Sequence, residues 1–172
     1  MQKVAKFEKV SFKQFYDSMK DAFHSYNGDE YFKVVNYVYE QLKPPKRSTT
    51  GSAGYDFYAP LSFTLQPGED IKIPTGIRSI IDRGWFLMIV PRSGLGFKYY
   101  ARLANSVGII DADYAQSDNE GHMYVKIRND GEKAMTVNAG EAFCQGIFLP
   151  FGVTYDDDAD GVRNGGFGST DK

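Results

Sequence analysis

Asp82-Arg83-Gly84-Trp85-Phe86-Leu87-Met88-Ile89-Val90-Pro91-Arg92-Ser93-Gly94 is the stretch on which the fold turns. Asp-Arg-Gly is turn chemistry, and the apolar run from Trp85 to Val90 is too short for a buried helix but right for a buried strand. Pro91 and Gly94 then punctuate it, because neither residue continues a ladder easily. The same grammar extends in both directions. Tyr55–Ala59, Ser62–Leu65, Asp70–Ile73 and Gly76–Ile81 precede the run, and Met123–Ile127, Ala134–Val137 and Phe143–Phe148 follow it. Gln66-Pro67-Gly68, Asp82-Arg83-Gly84 and Asn129-Asp130-Gly131 read as hairpin turns between them. Short strands at regular spacing predict a mainly β sandwich or barrel, not a βαβ fold.

The first third follows a different period. Ser11 with Gln14 three residues on is a capping-box pattern, and Phe12, Phe15, Tyr16, Met19 and Phe23 recur at helical spacing. Asn27-Gly28-Asp29 breaks that helix. Tyr31, Phe32, Val35, Val38, Tyr39 and Leu42 make a second stripe that stops at Pro44-Pro45. An α-helical hairpin is expected, joined to the strands by the aperiodic segment 43–51.

Composition narrows the function. A length of 172 residues with 42% apolar content is enough for one packed core with an appendage. A net charge of −2 argues against attachment to nucleic acid or an anionic membrane by bulk electrostatics, so any phosphate recognition is local. One cysteine excludes an internal disulfide framework, and two histidines with that cysteine do not make a zinc site. A hard, oxygen-bound ion such as Mg2+, carried by a substrate's phosphates, is the metal this composition suits. Met1–Lys6 has no apolar signal region and no run approaches membrane-spanning length, so a cytoplasmic protein is expected.

Five segments hold residues that a strand scaffold does not need. Asp56 interrupts the apolar strand Tyr55–Ala59, where a turn-facing or edge aspartate is the plainer reading. Pro91-Arg92-Ser93-Gly94-Leu95-Gly96 puts a guanidinium, a hydroxyl and flexible backbone in one turn, enough to surround an anion. Asn105-Ser106-Val107-Gly108-Ile109-Ile110-Asp111-Ala112-Asp113-Tyr114 sets Asp111 and Asp113 on one face if extended, as a general base would require, or forms a solvated acidic loop. Gln145 is an amide inside the apolar strand 143–148 and must find partners there, while Cys144 beside it reads as inert core. Last comes Arg163-Asn164-Gly165-Gly166-Phe167-Gly168-Ser169-Thr170, too glycine-rich to order itself unless a ligand offsets the entropy. A floppy tail is the alternative.

In this order and at these separations the five segments resemble those of the trimeric dUTPases, over roughly residues 53–172. The helical first third lies outside the resemblance. The resemblance implies a jelly-roll β-barrel core (51–152) and a flexible glycine-rich active-site arm (153–172), to which the helical periodicity adds an N-terminal helical hairpin extension and linker (1–50). It further implies a homotrimer with three sites, each built from all three subunits, and Mg2+-dependent hydrolysis of dUTP to dUMP and pyrophosphate. Asp111 matches the catalytic carboxylate that deprotonates water for attack on the α-phosphorus. Tyr114 matches the residue under the deoxyribose, and Asn105, Gly108 and Ile110 belong to the uracil pocket. Arg92, Ser93, Gly94 and Gln145 match phosphate-binding positions, Asp56 a contact to the Mg2+ shell through water. Phe167 stacks on uracil, with Gly168, Ser169 and Thr170 at the γ-phosphate and Arg163 adding charge. The chain departs from the family in the segment Ala115–His122, in Ala142 where arginine is common, and in Arg163, one residue closer to Phe167 than usual. Two other readings stand beside this one. One is dCTP deaminase, which shares the fold and for which Glu120 is the nearby candidate base. The other is a nucleotide-gated interaction module whose N-terminal helices recruit a protein partner.

Overall fold

A computed structural model describes residues 2–22, 28–161, 163 and 165. The expected strands form. β1 (Ala5–Lys9) precedes helices α1 (Phe12–Ala22) and α2 (Gly28–Gln41), and β2 (Tyr55–Tyr58), β3 (Phe63–Leu65), β4 (Asp70–Pro74), β5 (Ile77–Ile81) and β6 (Trp85–Pro91) follow. A short helix α3 (Ser93–Tyr99) then leads to β7 (Ala101–Leu103), β8 (Gly108–Ile110), a 3-10 turn (Ala112–Gln116), β9 (Tyr124–Asn129), β10 (Met135–Val137) and β11 (Ala142–Pro150). The short helix α3 is where a turn was expected, and β1, β7 and β8 are strands that the pattern leaves unassigned.

The strands pair antiparallel in the orders β2-β11-β6-β8, β4-β9-β7, β1-β5 and β10-β3. No described strand pairs with its neighbour in sequence, which corrects the hairpin expectation. The turns at 66–68, 82–84 and 129–131 carry the chain from one sheet to another. Asn129 shows the mechanism: its side-chain amide donates to the Leu65 carbonyl (2.9 Å) and the Lys133 carbonyl (2.8 Å), so the turn is tied to β3 across the barrel. The core lies between the sheets, with Phe57, Leu87, Ile89, Ile127, Met135 and Phe143 almost wholly buried. Gly146 lies at its centre because a Cβ there would stand 2.8 Å from Leu87 and 3.0 Å from Phe57.

The helices dock onto this barrel. Val10, Phe15, Met19, Tyr31, Val35, Val38 and Leu42 form a second buried cluster, so the aromatic stripes are covered by the chain itself. Phe32 and Tyr37 remain exposed. The docking point is the turn between β4 and β5. Gly76 has φ +71, and a Cβ there would come within 2.3 Å of Leu42 and 3.2 Å of Phe15. The capping box at Ser11 is only half made as expected. Ser11 Oγ accepts the Gln14 N–H (3.1 Å), but the Ser11 N–H is taken by Glu120 (2.7 Å), whose other oxygen accepts from the Ser11 hydroxyl (2.6 Å). Gln14 reaches Ser18 instead.

His122 is fully buried beneath α1. Its Nε2 accepts the Gly76 N–H (2.8 Å), so the neutral ring carries its proton on Nδ1 and donates it to Ser18 Oγ (3.0 Å). Burial lowers its pKa to about 4, against an upward pull from Glu120. The unfolded chain therefore binds this proton below about pH 6.5 while the folded chain does not until about pH 4. The contribution to stability is complete above the upper value and is lost as pH falls through the window, on the order of 3 kcal/mol in all. Urea unfolding at pH 7 and pH 4.5 should show this loss, and His122→Gln, which keeps an acceptor but does not titrate, should flatten it.

Two further outcomes are expected from denaturant titrations. Phe15→Ala should cost about 3–5 kcal/mol through lost burial and a cavity under the hairpin. Ser79 Oγ is, among the described residues, the buried side-chain oxygen without a hydrogen-bond partner, so Ser79→Ala should be neutral or stabilising by up to about 1 kcal/mol.

Candidate active site

The β7–β8 turn and the 3-10 segment after β8 enclose a cavity of about 560 Å3. Asn105, Gly108, Ile110, Asp111 and Tyr114 line it, so the third sequence motif converges as expected. Gly108 is pressed against β6, where a Cβ would lie 3.2 Å from that of Ile89. Its register with Ile89, and that of Ile110 with Leu87, hold the pocket floor to the core sheet. Asp111 is extended (φ −75°, ψ 159°) at the head of the 3-10 turn, and its carboxylate makes no cap bond there. It is free to face the cavity.

Arg163 meets it. The guanidinium bonds Asp111 Oδ2 through Nη2 (2.5 Å) and Asp113 Oδ1 through Nε (2.8 Å), and it lies 5.8 Å from the centre of the Tyr114 ring. One cation thus bridges the two carboxylates, with Asp113 held in a 3-10 turn and not in the extended backbone expected over both. Ser117 Oγ donates to the Gly165 carbonyl at 3.4 Å, so the 115–122 segment also touches the C-terminal stretch.

Tyr114 is buried, 7% exposed. Its hydroxyl donates to the His122 carbonyl (3.0 Å) and accepts from Asn119 Nδ2 (3.0 Å). Burial raises the phenol's pKa, opposed by the Asn119 bond and the Arg163 charge. The side chain is a rigid neutral wall. Lys72, Tyr124 and Lys126 complete the cavity on the far side, and sequence reasoning missed all three. Lys72 and Lys126 stand opposite each other in the β4–β9 register, with Lys72 4.6 Å above the Tyr124 ring. Alternation along β9 would have flagged Lys126 as outward facing, but only the pairing brings it to the pocket.

Arg92, Ser93, Gly94, Gln145 and Asp56 gather elsewhere. Arg92 pairs with Asp56 (Nε–Oδ1, 3.3 Å), and Gln145 lies opposite Asp56 in one ladder and Val90 in the next. The Gln145 amide donates to the Pro91 carbonyl (3.4 Å), and its carbonyl oxygen would lie 2.2 Å from a Cβ at Gly54. Ser93 and Gly94 open α3 on the surface, where first-turn amides have no helical acceptor. Among the described residues nothing lies within 4 Å of a Cβ at Gly94. Cys144 is fully buried and its thiol's pKa is pushed well up by burial, as an inert core residue requires.

The two clusters occupy opposite ends of β6. Ile110 stands opposite Leu87 and Cys144 opposite Pro91, so Asp111 is level with Phe86. The six steps to Arg92 at roughly 3.3 Å each amount to about 20 Å. Among the described residues no three His, Cys, Asp or Glu side chains are grouped to hold a metal ion. Phe167, Gly168, Ser169 and Thr170 lie outside the described residues. No described helix is long and apolar enough to cross a membrane.

A family model described as dUTPase matches residues 40–171, leaving β1, α1 and most of α2 before it. The deoxyuridine 5'-triphosphate nucleotidohydrolase of Lactococcus lactis is 41% identical over 140 residues, covering 80% of this chain and 93% of that protein. The protein of the same name from Hahella chejuensis is 42% identical over 138 residues, covering 76% and 88%. The crystal structure of dUTPase from Streptococcus mutans superposes with a TM-score of 0.62 at 30% identity, covering 86% of this chain and 97% of that one. With the family model spanning the barrel and relatives matched over most of their length, the chain belongs to the dUTPase family of enzymes.

Proposed function

We propose that this enzyme hydrolyses dUTP to dUMP and pyrophosphate, and the observation that carries the reading is Asp111 at the mouth of a nucleoside-sized cavity walled by Asn105, Gly108, Ile110 and Tyr114. Asp111 takes a proton from a water molecule whose oxygen attacks the α-phosphorus. As that O–P bond forms, the bond from the α-phosphorus to the α–β bridging oxygen breaks and pyrophosphate departs with the electron pair. The backbone of the Asn105 turn pairs the uracil edge, and Tyr114 packs under the deoxyribose, leaving no room for a 2'-hydroxyl. Arg163 must leave Asp111 for the base to act, because its guanidinium occupies the carboxylate.

The phosphate-binding group Arg92, Ser93, Gly94 and Gln145 is about 20 Å from Asp111 along β6, far beyond the span of a triphosphate. A complete site therefore draws Asp111 and Tyr114 from one copy and the phosphate group from another, which supports a homotrimer with shared sites. Phe167 closes over uracil, with Gly168, Ser169 and Thr170 at the γ-phosphate. The donors fit Mg2+ only jointly with substrate: Asp56 is a hard oxygen but stands without two companions, so the triphosphate supplies the ligands and Asp56 acts through water. Bound there, the ion would neutralise charge developing on the leaving pyrophosphate. In the cell this reaction limits uracil incorporation into DNA and supplies dUMP for dTMP synthesis, as a cytoplasmic activity with no membrane or direct nucleic-acid attachment.

The deaminase reading loses its candidate base. Both Glu120 oxygens are engaged by Ser11 at the start of α1.

Pyrophosphate release with dUTP, dTTP, dCTP and UTP in turn, with and without Mg2+, tests the proposal. Release from dUTP alone is expected, with Asp111→Asn slower by about 10²–10⁴-fold; ammonia from dCTP, or binding of dUTP without turnover, would overturn it. A second measurement addresses site sharing. Asp111→Asn and Arg92→Ala, each nearly inactive alone, should regain activity when refolded together at equal ratio, because about one site in four then combines the intact halves. No recovery in a mixture shown to have exchanged subunits would place both groups in one chain's site.

A further inference from the structure

The helices before residue 40, which precede the match to the family model, and the segment 115–122 meet at Ser18. This hydroxyl is 3% exposed. It donates to the Gln14 carbonyl (2.8 Å) and receives the Tyr124 hydroxyl (2.5 Å) and the His122 Nδ1 proton (3.0 Å). His122 passes the constraint onward: its ring is held on the other side by the Gly76 N–H, and its carbonyl accepts the Tyr114 hydroxyl (3.0 Å) and the Asn119 amide (3.3 Å). Gly121, between them, has φ +73, and a Cβ there would meet Ala115 Cα at 2.6 Å, so the segment lies hard against the residue following Tyr114. The Tyr124 ring packs on the His122 ring with centroids 4.6 Å apart. Tyr114 and Tyr124 both line the cavity.

We propose that Ser18 is a positioning residue for the nucleoside pocket: from the N-terminal helix it fixes Tyr124 directly and Tyr114 through His122, so that sugar selectivity depends on the docked hairpin. The proposal rests on the dUTP reading for the role of Tyr114. Its physical basis is order. A tyrosine wall excludes a 2'-hydroxyl only while it cannot retreat, and here what prevents retreat is a buried hydrogen-bond path that begins on α1. Ser18 touches no substrate and takes no part in the proton transfer.

The test uses the full-length protein and Ser18→Ala. The ratio of kcat/KM for dUTP to that for UTP is expected to fall roughly threefold to tenfold, the size of one lost buried hydrogen bond, mainly through better use of UTP. Ser18→Cys, with a weak donor and acceptor, should recover part of the ratio. Val137→Ala, in β10 away from the pocket, supplies a destabilised control whose ratio should stay at the wild-type value. In parallel, 19F spectra of fluorotyrosine-labelled protein, with Tyr114 assigned from Tyr114→Phe, should show the Tyr114 resonance shifted or broadened in Ser18→Ala and not in Val137→Ala. An unmoved Tyr114 resonance, or a ratio in Ser18→Ala equal to that in the control, overturns the proposal. If the wild-type protein releases no pyrophosphate from dUTP, the functional reading falls, and the Tyr114 resonance still decides whether Ser18 positions that ring.

Discussion

The strand from Ala142 to Pro150 holds the molecule together, because it pairs with Tyr55–Tyr58 on one side and Trp85–Pro91 on the other. It is the last strand of the described chain, so the principal sheet cannot form until nearly all of the chain is present. Every other described ladder likewise joins strands that are not neighbours in sequence. Loop-closure entropy is therefore met before the contacts that offset it, the hallmark of slowly folding β topologies. The glycine at position 146 is the steric condition for this arrangement, since Leu87, Phe57 and Ile89 close over it from the neighbouring strands. The same strand carries Gln145 to a position between Asp56 and Val90, which places it beside the Arg92–Asp56 pair as a by-product of core formation.

That central strand also explains why the reactive groups divide. The strand Trp85–Pro91 has Asp111 beside its beginning and Arg92 just beyond its end, so the two clusters stand at opposite rims of one barrel. The β-structure between the two clusters keeps them apart within one chain. In the single chain Arg163 bridges Asp111 and Asp113 and offsets one of their two charges, which weakens their mutual repulsion.

The N-terminal helices are integrated by polar as well as apolar contacts. Glu120 supplies the cap that Gln14 was expected to make, and His122 is buried neutral with both ring nitrogens engaged. Buried polar groups of this kind are costly unless all partners are present, so the interface is specific where a purely apolar one could slide. The segment 115–122 carries these contacts and also the bonds that hold Tyr114, and thus links the outer helices to the pocket.

Residue by residue, the sequence by itself determined what is local. Short apolar or alternating runs marked eight of the ten strands between Tyr55 and Pro150, helical spacing marked two helices within residues 11–43, and residue chemistry singled out Asp111, Arg92 and Gln145 as candidates. The short strands Ala101–Leu103 and Gly108–Ile110 escaped because three residues carry too little pattern, and Ala5–Lys9 because its alternation rests on Ala5 and Phe7 alone. Tertiary structure alone decided which strand pairs with which, since the edges of strands are chemically interchangeable and their register is selected by the whole core. It alone placed Arg163 on Asp111, Lys72 and Lys126 beside the cavity, and Ser18 against His122. Those contacts join residues far apart in the chain, and no periodicity spans such separations; hydrogen-bond geometry in the packed molecule is what fixes them.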